Sequence, residues 1–162
     1  MTSKLLLDLG NSRLKWALDQ DGALTAGDPI THTPDGLGDL SPLWAAVGTL
    51  QSAWISSTAL SLTPVLVAAI SARFGCPTSV FVSPKQALGI RSAYDQPHTL
   101  GSDRFLAMAG ARAQIKGAFL VADAGTALTL DMVDDTGQHL GGLIAPGPML
   151  MREALQRGTA GV

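Results

Sequence analysis

Apolar and polar residues alternate at the start of the chain in the way expected of antiparallel strands. Residues 5–7 form an apolar run that suits a buried strand. After a turn, Leu14, Trp16 and Leu18 fall on one face of a second strand. A weaker third strand is predicted over residues 23–26. The opening pattern therefore predicts an antiparallel meander.

Helices and strands alternate in the middle of the chain. Pro64 near the start of one helical pattern and Gly75 at its end are typical helix boundary residues. Ser102 is predicted to cap the next helix, after a loop-like segment over residues 83–100. The predicted helices cover residues 40–49, 64–74 and 103–115, and the predicted strands cover residues 53–56 and 78–82.

The opening pattern returns after Gly117. An apolar run, a turn, two strands joined by a hairpin turn, and a helix that ends near Gly158 follow one another. A second meander followed by a helix is therefore predicted. Its strands cover residues 119–122, 128–132 and 139–145, and its helix covers residues 149–157.

Two segments, residues 5–11 and 120–126, share one order of residues. Each has an apolar strand followed by Asp, any residue, Gly and a small polar residue, and each opens a meander. Because Asp-x-Gly is common in turns, either copy alone is better explained as an ordinary β-hairpin. Two copies in the same setting favour a pair of phosphate-binding hairpins, which would hold a nucleotide between two related domains.

The residues at both turns suit an anionic ligand. Gly10 and Gly125 lack a Cβ atom, so backbone N–H groups can come close to phosphate oxygens. Asn11, Ser12 and Thr126 supply side-chain donors. The pattern is neither a Walker A loop nor Gly-x-Gly-x-x-Gly, so a P-loop enzyme or a dinucleotide-binding Rossmann enzyme is poorly supported.

Charged side chains flank the same turns. Asp8 and Asp123 lie where strands end, and carboxylates there can hold a cation that neutralises phosphate charge. Lys15 can place its ammonium group beside the phosphates as a point charge. The two segments together therefore predict a nucleotide site with a cation.

A second group of candidate residues begins at the start of the helix predicted over residues 103–115. Asp103 lies at the positive end of the helix dipole, so its ionised carboxylate can accept a proton from a substrate hydroxyl. Arg104 offers a forked donor for a carboxylate-bearing substrate, and Tyr94 lies a short loop away. The structural alternatives are helix-end stabilisation of about 0.3–1 kcal/mol by Asp103, a solvated Arg104 and a packed loop tyrosine.

Four residues near the second meander suggest room for a flat ligand. Gly141 and Gly142 thin the predicted third strand so that a base can approach, and Pro146 and Gly147 follow it. A bulge and a turn explain the same residues equally well.

Histidines and tryptophans are not expected to form the site. His32, His98 and His139 lack metal-ligand spacing and are interpreted as surface or loop residues. The expected core anchors are the tryptophans Trp16, Trp44 and Trp54.

Composition limits the class of protein. The chain has 162 residues, 46% hydrophobic and 15% charged, so it can bury a core, and its formal net charge of −2 argues against nucleic-acid or acidic-membrane partners. Cys76 is the only cysteine, which suits a reducing compartment. No apolar run reaches the roughly 18 residues of a membrane span. We therefore expect a soluble, cytoplasmic protein.

Four motifs together resemble type III pantothenate kinase, a member of the actin, sugar kinase and heat-shock ATPase fold group. They occur in the family's order and cover nearly the whole chain, with Ser12 where Thr is common. Residues 101–104 resemble the pantothenate motif, residues 123–127 the second phosphate motif and residues 141–147 the adenosine motif. The first phosphate motif is resembled by Asp8, Leu9, Gly10, Asn11, Ser12, Arg13, Leu14 and Lys15.

The resemblance implies a role for each motif. Asp103 would be the proton acceptor, and Gly101, Ser102, Arg104 and Tyr94 would contact pantothenate. The cofactors would be ATP, Mg²⁺ and a monovalent cation, K⁺ or NH₄⁺. Asp123 would bind the monovalent cation. ATP would be bound by the first phosphate motif, Thr126, Gly141, Gly142, Pro146 and Gly147.

The resemblance also implies an α/β architecture. An actin-like, ribonuclease H-like domain over residues 1–116 would be followed by a partial second copy over residues 117–162. Family members continue well beyond this length, so we expect a truncated protein, a fragment or a natural remnant. The family is typically dimeric, which implies a homodimer with the helix from Asp103 as a contact element.

The function implied is transfer of the ATP γ-phosphoryl group to the primary hydroxyl of pantothenate, the first step toward coenzyme A. One alternative is a kinase of the same fold acting on a sugar or another small hydroxy acid. Arg104 and Tyr94 argue mildly against a neutral sugar. The other alternative is a non-catalytic ATP-binding or regulatory protein of the same family.

Overall fold

The computed structural model describes residues 3–158. The chain divides into two compact units, the first ending at Val82 and the second beginning at Ser83. None of the helices in the described part of the chain is long and apolar enough to cross a membrane. Each unit has its own sheet and its own buried residues.

The first unit is built on a six-stranded mixed sheet with the strand order β3-β2-β1-β5-β6, in which β4 also pairs with β2. The first three strands are antiparallel, whereas β1 pairs with β5, and β5 with β6, in parallel. The elements are β1 Ser3–Leu9, β2 Arg13–Gln20, β3 Ala23–Ala26, β4 Ile30–Thr31, α1 Ser41–Ala46, β5 Ser52–Ser57, α2 Thr63–Phe74 and β6 Thr78–Val80.

Alternation explains how β1 and β2 pack. Leu5, Leu7 and Leu9 point to the buried face of β1, and Leu14 and Trp16 point to the buried face of β2. The predicted meander is confirmed. Trp54 is 48% exposed, so its interpretation as a core anchor is wrong. The adjacent positions Ala53 and Ile55 of β5 face the core instead, and the strand period of two turns Trp54 outward.

Helix α2 has the boundaries that the sequence predicts. Pro64 lies in its first turn, and Gly75 ends it with a left-handed φ of 61°. The N–H of Gly75 donates to the Ser71 carbonyl at 2.9 Å. Leu66 and Ile70, one turn apart, are fully buried in the apolar core of the first unit.

The second unit contains a three-stranded antiparallel sheet with the order β11-β10-β9 and a two-stranded sheet of β7 and β8. Helix α3 packs against β8, β9 and β10, whereas α4 packs against β10 and β11. The elements are β7 Gln86–Ala87, β8 Ile90–Arg91, a short 3₁₀-helix Pro97–Thr99, α3 Ser102–Gln114, β9 Phe119–Ala124, β10 Ala127–Val133, β11 His139–Pro146 and α4 Pro148–Gly158.

The predicted second meander forms, with strands slightly longer than expected. The domain boundary predicted at residues 116/117 differs from the division at Val82, because α3 packs onto the strands that follow it. That residues 117–162 form a partial second copy of the first domain stays a prediction.

The start of α3 corrects one expectation. Ser102 is the first helical residue rather than its cap, and Gly101 precedes the helix without a capping side chain. Asp103 takes over the role of a local acceptor, since its Oδ1 receives the Arg104 N–H at 2.8 Å. Ser102 itself is buried in the first turn of the helix.

Candidate functional site

The first glycine hairpin, residues 8–15, joins β1 to β2. The Gly10 N–H donates to the Arg13 carbonyl at 3.0 Å, so Asn11 and Ser12 form a two-residue turn. The side chains from Asn11 to Arg13 are exposed. Because Gly10 uses its own N–H to close the turn, the groups that face outward belong to the turn residues.

Two leucines anchor this hairpin to the core. Leu9 and Leu14 lie opposite each other in the register, and both side chains are fully buried. They hold the turn in place and leave only their backbone for any contact with a nucleotide. The next pair along the strands, one position further from the turn, is Asp8 and Lys15. Their carboxylate and ammonium lie 3.5 Å apart in an exposed ion pair.

His32 supports the same turn from the side. Its ring Nε2 lies 2.7 Å from the Gly10 carbonyl, and its backbone N–H donates to the Ser12 carbonyl at 3.2 Å. His32 lies in the loop after β4, as one of the two expected alternatives has it, but it is buried rather than on the surface. Burial is tolerated because a ring N–H has a carbonyl acceptor in either tautomer, Gly10 for Nε2 and Thr33 for Nδ1.

The second glycine hairpin, residues 123–129, joins β9 to β10. The Gly125 N–H donates to the Ala127 carbonyl at 2.9 Å, so Thr126 alone forms the tip. Asp123 pairs with Thr129 in the register and is exposed. This turn is one residue shorter than the first, a difference that the matching residue order hides.

Gly147 supports the second hairpin by close backbone approach. Its N–H donates to the Thr126 carbonyl at 2.9 Å. A Cβ atom at residue 147 would lie closer than 3.0 Å to the carbonyl oxygens of Gly125 and Thr126. Gly147 therefore lets the end of β11 pack directly on the hairpin, and Pro146 pairs with Ala127 next to it.

The described carboxylates do not form a complete metal cage. Within residues 3–158, no three Asp, Glu, His or Cys side chains converge on one point. Asp8 and Asp123 are single carboxylates in separate units. Such a donor set fits Mg²⁺ held by one carboxylate together with the phosphates of a nucleotide, the usual arrangement for this ion.

Residues 101–104, which resemble the family's pantothenate motif, lie at the start of α3. Asp103 is half-buried, and its Oδ1 accepts the Arg104 N–H. A Cβ atom at residue 101 would lie 2.5 Å from this oxygen, so Gly101 makes room for the carboxylate. The motif thus places one carboxylate at a helix N-terminus, beside a glycine.

Arg104 is buried rather than solvated, with 7% of its surface exposed. Its Nε donates to Asp131 Oδ2 at 2.8 Å, its Nη2 donates to Asp131 Oδ1, and its Nη1 donates to the Tyr94 hydroxyl at 3.1 Å. These bonds raise the pKa of the Arg104 guanidinium further above its ordinary value, chiefly through Asp131. The structure therefore brings Tyr94 and Arg104 together.

His139 completes this buried group. Its Nε2 lies 3.0 Å from Asp131 Oδ1, and its ring stacks on Tyr94 with 6.2 Å between centroids. Because His139 is 1% exposed, its interpretation as a surface residue is also wrong. Asp131 and His139 lay outside every sequence motif. An acidic residue inside an apolar strand was the only signal, since buried charge needs a partner.

Gly141 and Gly142 differ in their surroundings. Gly141 has a positive φ of 120° beside a register shift at Met132 and Val133, and open space lies where its Cβ would be. Gly142 lies opposite Asp131, where a Cβ would meet Asp131 and Arg104. The absent side chain at Gly142 thus accommodates the ion pair.

Comparison with solved structures shows a mixed α/β fold with actin-like ATPase neighbours. The activator of the 2-hydroxyisocaproyl-CoA dehydratase from Clostridium difficile, solved with bound ADPNP, aligns with 98% of this chain and 53% of its own at a TM-score of 0.55 and 11% identity. The ethanolamine utilization protein EutJ from Carboxydothermus hydrogenoformans aligns with 91% of this chain and 53% of its own at a TM-score of 0.50 and 16% identity.

Comparison with curated proteins identifies the family. The type III pantothenate kinase of Halorhodospira halophila is 38% identical over 97% of this chain, and that of Burkholderia ambifaria is 42% identical over 96%. The chain spans 65% and 60% of the length of these two relatives. The profile of the type III pantothenate kinase family matches residues 4–162. The chain belongs to the type III pantothenate kinase family.

Proposed function

We propose that this protein takes part in the ATP-dependent phosphorylation of pantothenate to 4′-phosphopantothenate, the first step of coenzyme A biosynthesis. Family membership supports the reaction class, and the chain carries all four motifs. The observation that carries the proposal is the pairing of Arg104 with Tyr94, next to Asp103 at the start of α3. A fixed cation beside a half-buried carboxylate suits a substrate with both a carboxylate and a hydroxyl.

The two glycine hairpins are the proposed phosphate-binding elements. Exposed Asn11 and Ser12 in the first, and Thr126 in the second, carry side-chain donors at the turns. Lys15 adds a positive charge near the first turn, although its ion pair with Asp8 must loosen for the ammonium to contact phosphate. Neither hairpin resembles a P-loop, so binding would rely on turn donors.

Cations would assist these elements. Mg²⁺ bound with ATP supplies neutralisation of phosphate charge, and Asp8 offers a carboxylate on the first hairpin. Asp123 is the proposed ligand of a monovalent cation, K⁺ or NH₄⁺, on the second hairpin. Gly141, Gly142, Pro146 and Gly147 are the proposed adenosine-contacting residues, with Gly141 as the position where open space lies over the backbone.

Catalysis would rest on positioning and charge. Asp103 orients the pantothenate hydroxyl for in-line attack on the γ-phosphorus and accepts its proton, while ADP leaves. Arg104 binds the pantothenate carboxylate, and Tyr94 with Gly101 and Ser102 lines the substrate site. Residues 1–116 would form an actin-like domain, and residues 117–162 would form part of its second copy. We propose that the protein is a cytoplasmic homodimer. Analytical ultracentrifugation can measure this association.

The test measures phosphopantothenate formation by mass spectrometry. Because the chain spans 60–65% of these relatives, the assay includes the chain itself and the chain extended by the remaining C-terminal segment of the Halorhodospira halophila relative. In the active form, Asp103→Asn is expected to lower kcat about 10²–10⁴-fold. The matched control Asp135→Asn, at an exposed turn, should retain full activity.

The outcomes separate the alternatives. Product from a different hydroxy acid or a sugar, and not from pantothenate, would favour the related kinase. ATP binding without product in either form would favour a regulatory protein. An active extended form whose turnover is unchanged by Asp103→Asn would show that the assignment of Asp103 is wrong.

A further inference from the structure

Arg104 combines two features that rarely occur together. It belongs to the motif expected to contact substrate, yet its guanidinium is buried and paired with a carboxylate 27 residues further along the chain. A buried charge is stable only when its partner and the remaining donors are well placed. The surroundings of Arg104 must therefore define one orientation of the guanidinium plane.

Asp131 defines that orientation through two parallel hydrogen bonds. Its two oxygens accept from Nε and Nη2 of Arg104, which is the bidentate arrangement of a guanidinium with a carboxylate. Tyr94 accepts a third N–H through its hydroxyl. Arginine has five N–H groups, so one on Nη1 and one on Nη2 remain for a ligand.

His139 fixes Asp131 in turn. The Ala93 N–H donates to His139 Nδ1 at 3.5 Å, so Nδ1 acts as the acceptor. The proton of the neutral ring then lies on Nε2, which donates to Asp131 Oδ1 at 3.0 Å. Because the same ring stacks on Tyr94, His139 contacts both groups that bind Arg104.

Gly142 provides the space for this pair. A Cβ atom at residue 142 would lie 2.6 Å from Nη2 of Arg104, and closer than 3.0 Å to Asp131 Oδ1 and the Leu130 carbonyl. The Leu130 carbonyl belongs to the backbone of the neighbouring strand, so it cannot move aside as the end of a side chain can. Gly142, which was expected to make room for a base, thus makes room for the ion pair between Arg104 and Asp131.

We infer that Asp131, His139 and Gly142 are positioning residues that hold the Arg104 guanidinium in one orientation, with two N–H groups directed to the carboxylate of an acidic substrate. The identity of that substrate as pantothenate rests on the proposed function. The hydrogen-bonded surroundings of the Arg104 guanidinium, formed by Asp131, Tyr94, His139 and Gly142 and called the Arg104 seat below, rest on the geometry alone.

The experiment measures pantothenate affinity by calorimetry and the Arg104 Nε–H signal by NMR, in the same samples. Asp131→Asn is expected to raise the pantothenate Kd about tenfold, because it weakens a charged hydrogen bond to Arg104. In an Arg104→Gln background the same substitution should change the Kd little. Asp135→Asn, an exposed change on the turn that follows β10, is the matched control.

Gly142→Ala tests the space rather than the charge. It should broaden or shift the Arg104 Nε–H signal and raise the Kd, whereas Gly110→Ala on α3, where a Cβ meets open space, should do neither. Thermal unfolding shows which variants fold. If Asp131→Asn does not fold, His139→Gln, which keeps a donor for Asp131, replaces it in both backgrounds.

Each outcome decides the inference. An equal rise in Kd with and without Arg104 would mean that Asp131 acts through general structure, and would overturn it. An Arg104 signal unchanged in Asp131→Asn and Gly142→Ala would overturn the seat as well. If the wild-type chain does not bind pantothenate, the proposed substrate fails, and loss of the Arg104 signal in these two variants alone still supports the seat.

Discussion

The two compact units bury different kinds of residue. The first is built around a continuous apolar core, and its buried polar residues are His32 and serines. The second buries Arg104, Asp131 and His139, while Leu120 and Leu143 on its sheet are at least half exposed. The first unit therefore buries mainly apolar residues, whereas the second combines a smaller apolar core with a buried group of charged hydrogen bonds.

This difference bears on where substrate chemistry can be placed. Apolar packing tolerates small rearrangements, whereas a bidentate ion pair requires specific distances and angles. The residues proposed to contact pantothenate all belong to the second unit, with Arg104 part of its buried ion pair. The unit with the smaller apolar core is thus the one whose polar geometry is most constrained.

The largest effect is expected from the core of the first unit. Leu66→Ala removes a fully buried side chain of α2 and should lower the free energy of unfolding by about 2–5 kcal/mol. The loss should not depend on salt, because no charge is involved. Chemical denaturation at low and high salt measures it, with the exposed Leu60→Ala as control. A loss below that of the control would contradict an apolar first unit.

A smaller effect is expected at the second hairpin. Gly147→Ala would place a Cβ against the carbonyls of Gly125 and Thr126, so the hairpin must shift, at a cost of about 1–3 kcal/mol. Denaturation and the amide signal of Thr126 report the change. If both stay as in the wild type, close packing of Gly147 on this hairpin is refuted.

The first hairpin should respond more weakly. His32→Phe keeps a buried ring but removes the hydrogen bond to the Gly10 carbonyl, a net loss of about 0.5–1.5 kcal/mol. Faster hydrogen exchange at Asn11 and Ser12 should accompany it. His98→Phe, at an exposed position, is the control. Equal exchange in the two variants would argue against support of the turn by His32.

The smallest effect concerns the turn between β10 and β11. Hydrogen bonds from the Thr136 hydroxyl and the Gln138 N–H lower the pKa of Asp134 below its ordinary value. A lowered folded-state pKa gives stability that is present above the ordinary pKa and lost as pH falls through the folded pKa.

The melting temperature of the wild type should therefore exceed that of Asp134→Asn near neutral pH, and the difference should vanish in acid. Thr136→Val should show part of the same loss, since it removes the main cause. A difference between wild type and Asp134→Asn that stays constant from neutral to acidic pH would rule out this explanation.

Local patterns predicted the first unit well. Alternation placed Leu14 and Trp16 inward, and Pro64 and Gly75 marked α2, because both signals act between near neighbours. The start of α3 was misplaced by one residue, because Gly101, which has no capping side chain, occupies the N-cap position. The different lengths of the two hairpin turns could not be predicted from the sequence, because a shared residue order does not fix strand register.

The candidate site was only partly predictable. Tyr94 and Arg104 were proposed as neighbours, and the structure joins them. Asp131 and His139 could not be found, because Asp131 meets Arg104 only through the packing of α3 on β10, and His139 joins the group through Asp131. Gly142 was predicted to thin the strand for a base, whereas its missing side chain makes room for Asp131 and Arg104, a steric cause that only tertiary packing creates.

The most direct test of ATP binding by both glycine hairpins is an NMR titration of the ¹⁵N-labelled chain with Mg²⁺ and ATP. We expect the amide signals of Asn11 in the first hairpin and of Thr126 in the second to shift, while those of Gly22 and Gly137, in other turns, stay in place. A hairpin whose signals stay unchanged, or shifts that are equally large at Gly22 and Gly137, would contradict the proposal that this hairpin binds the phosphates of ATP.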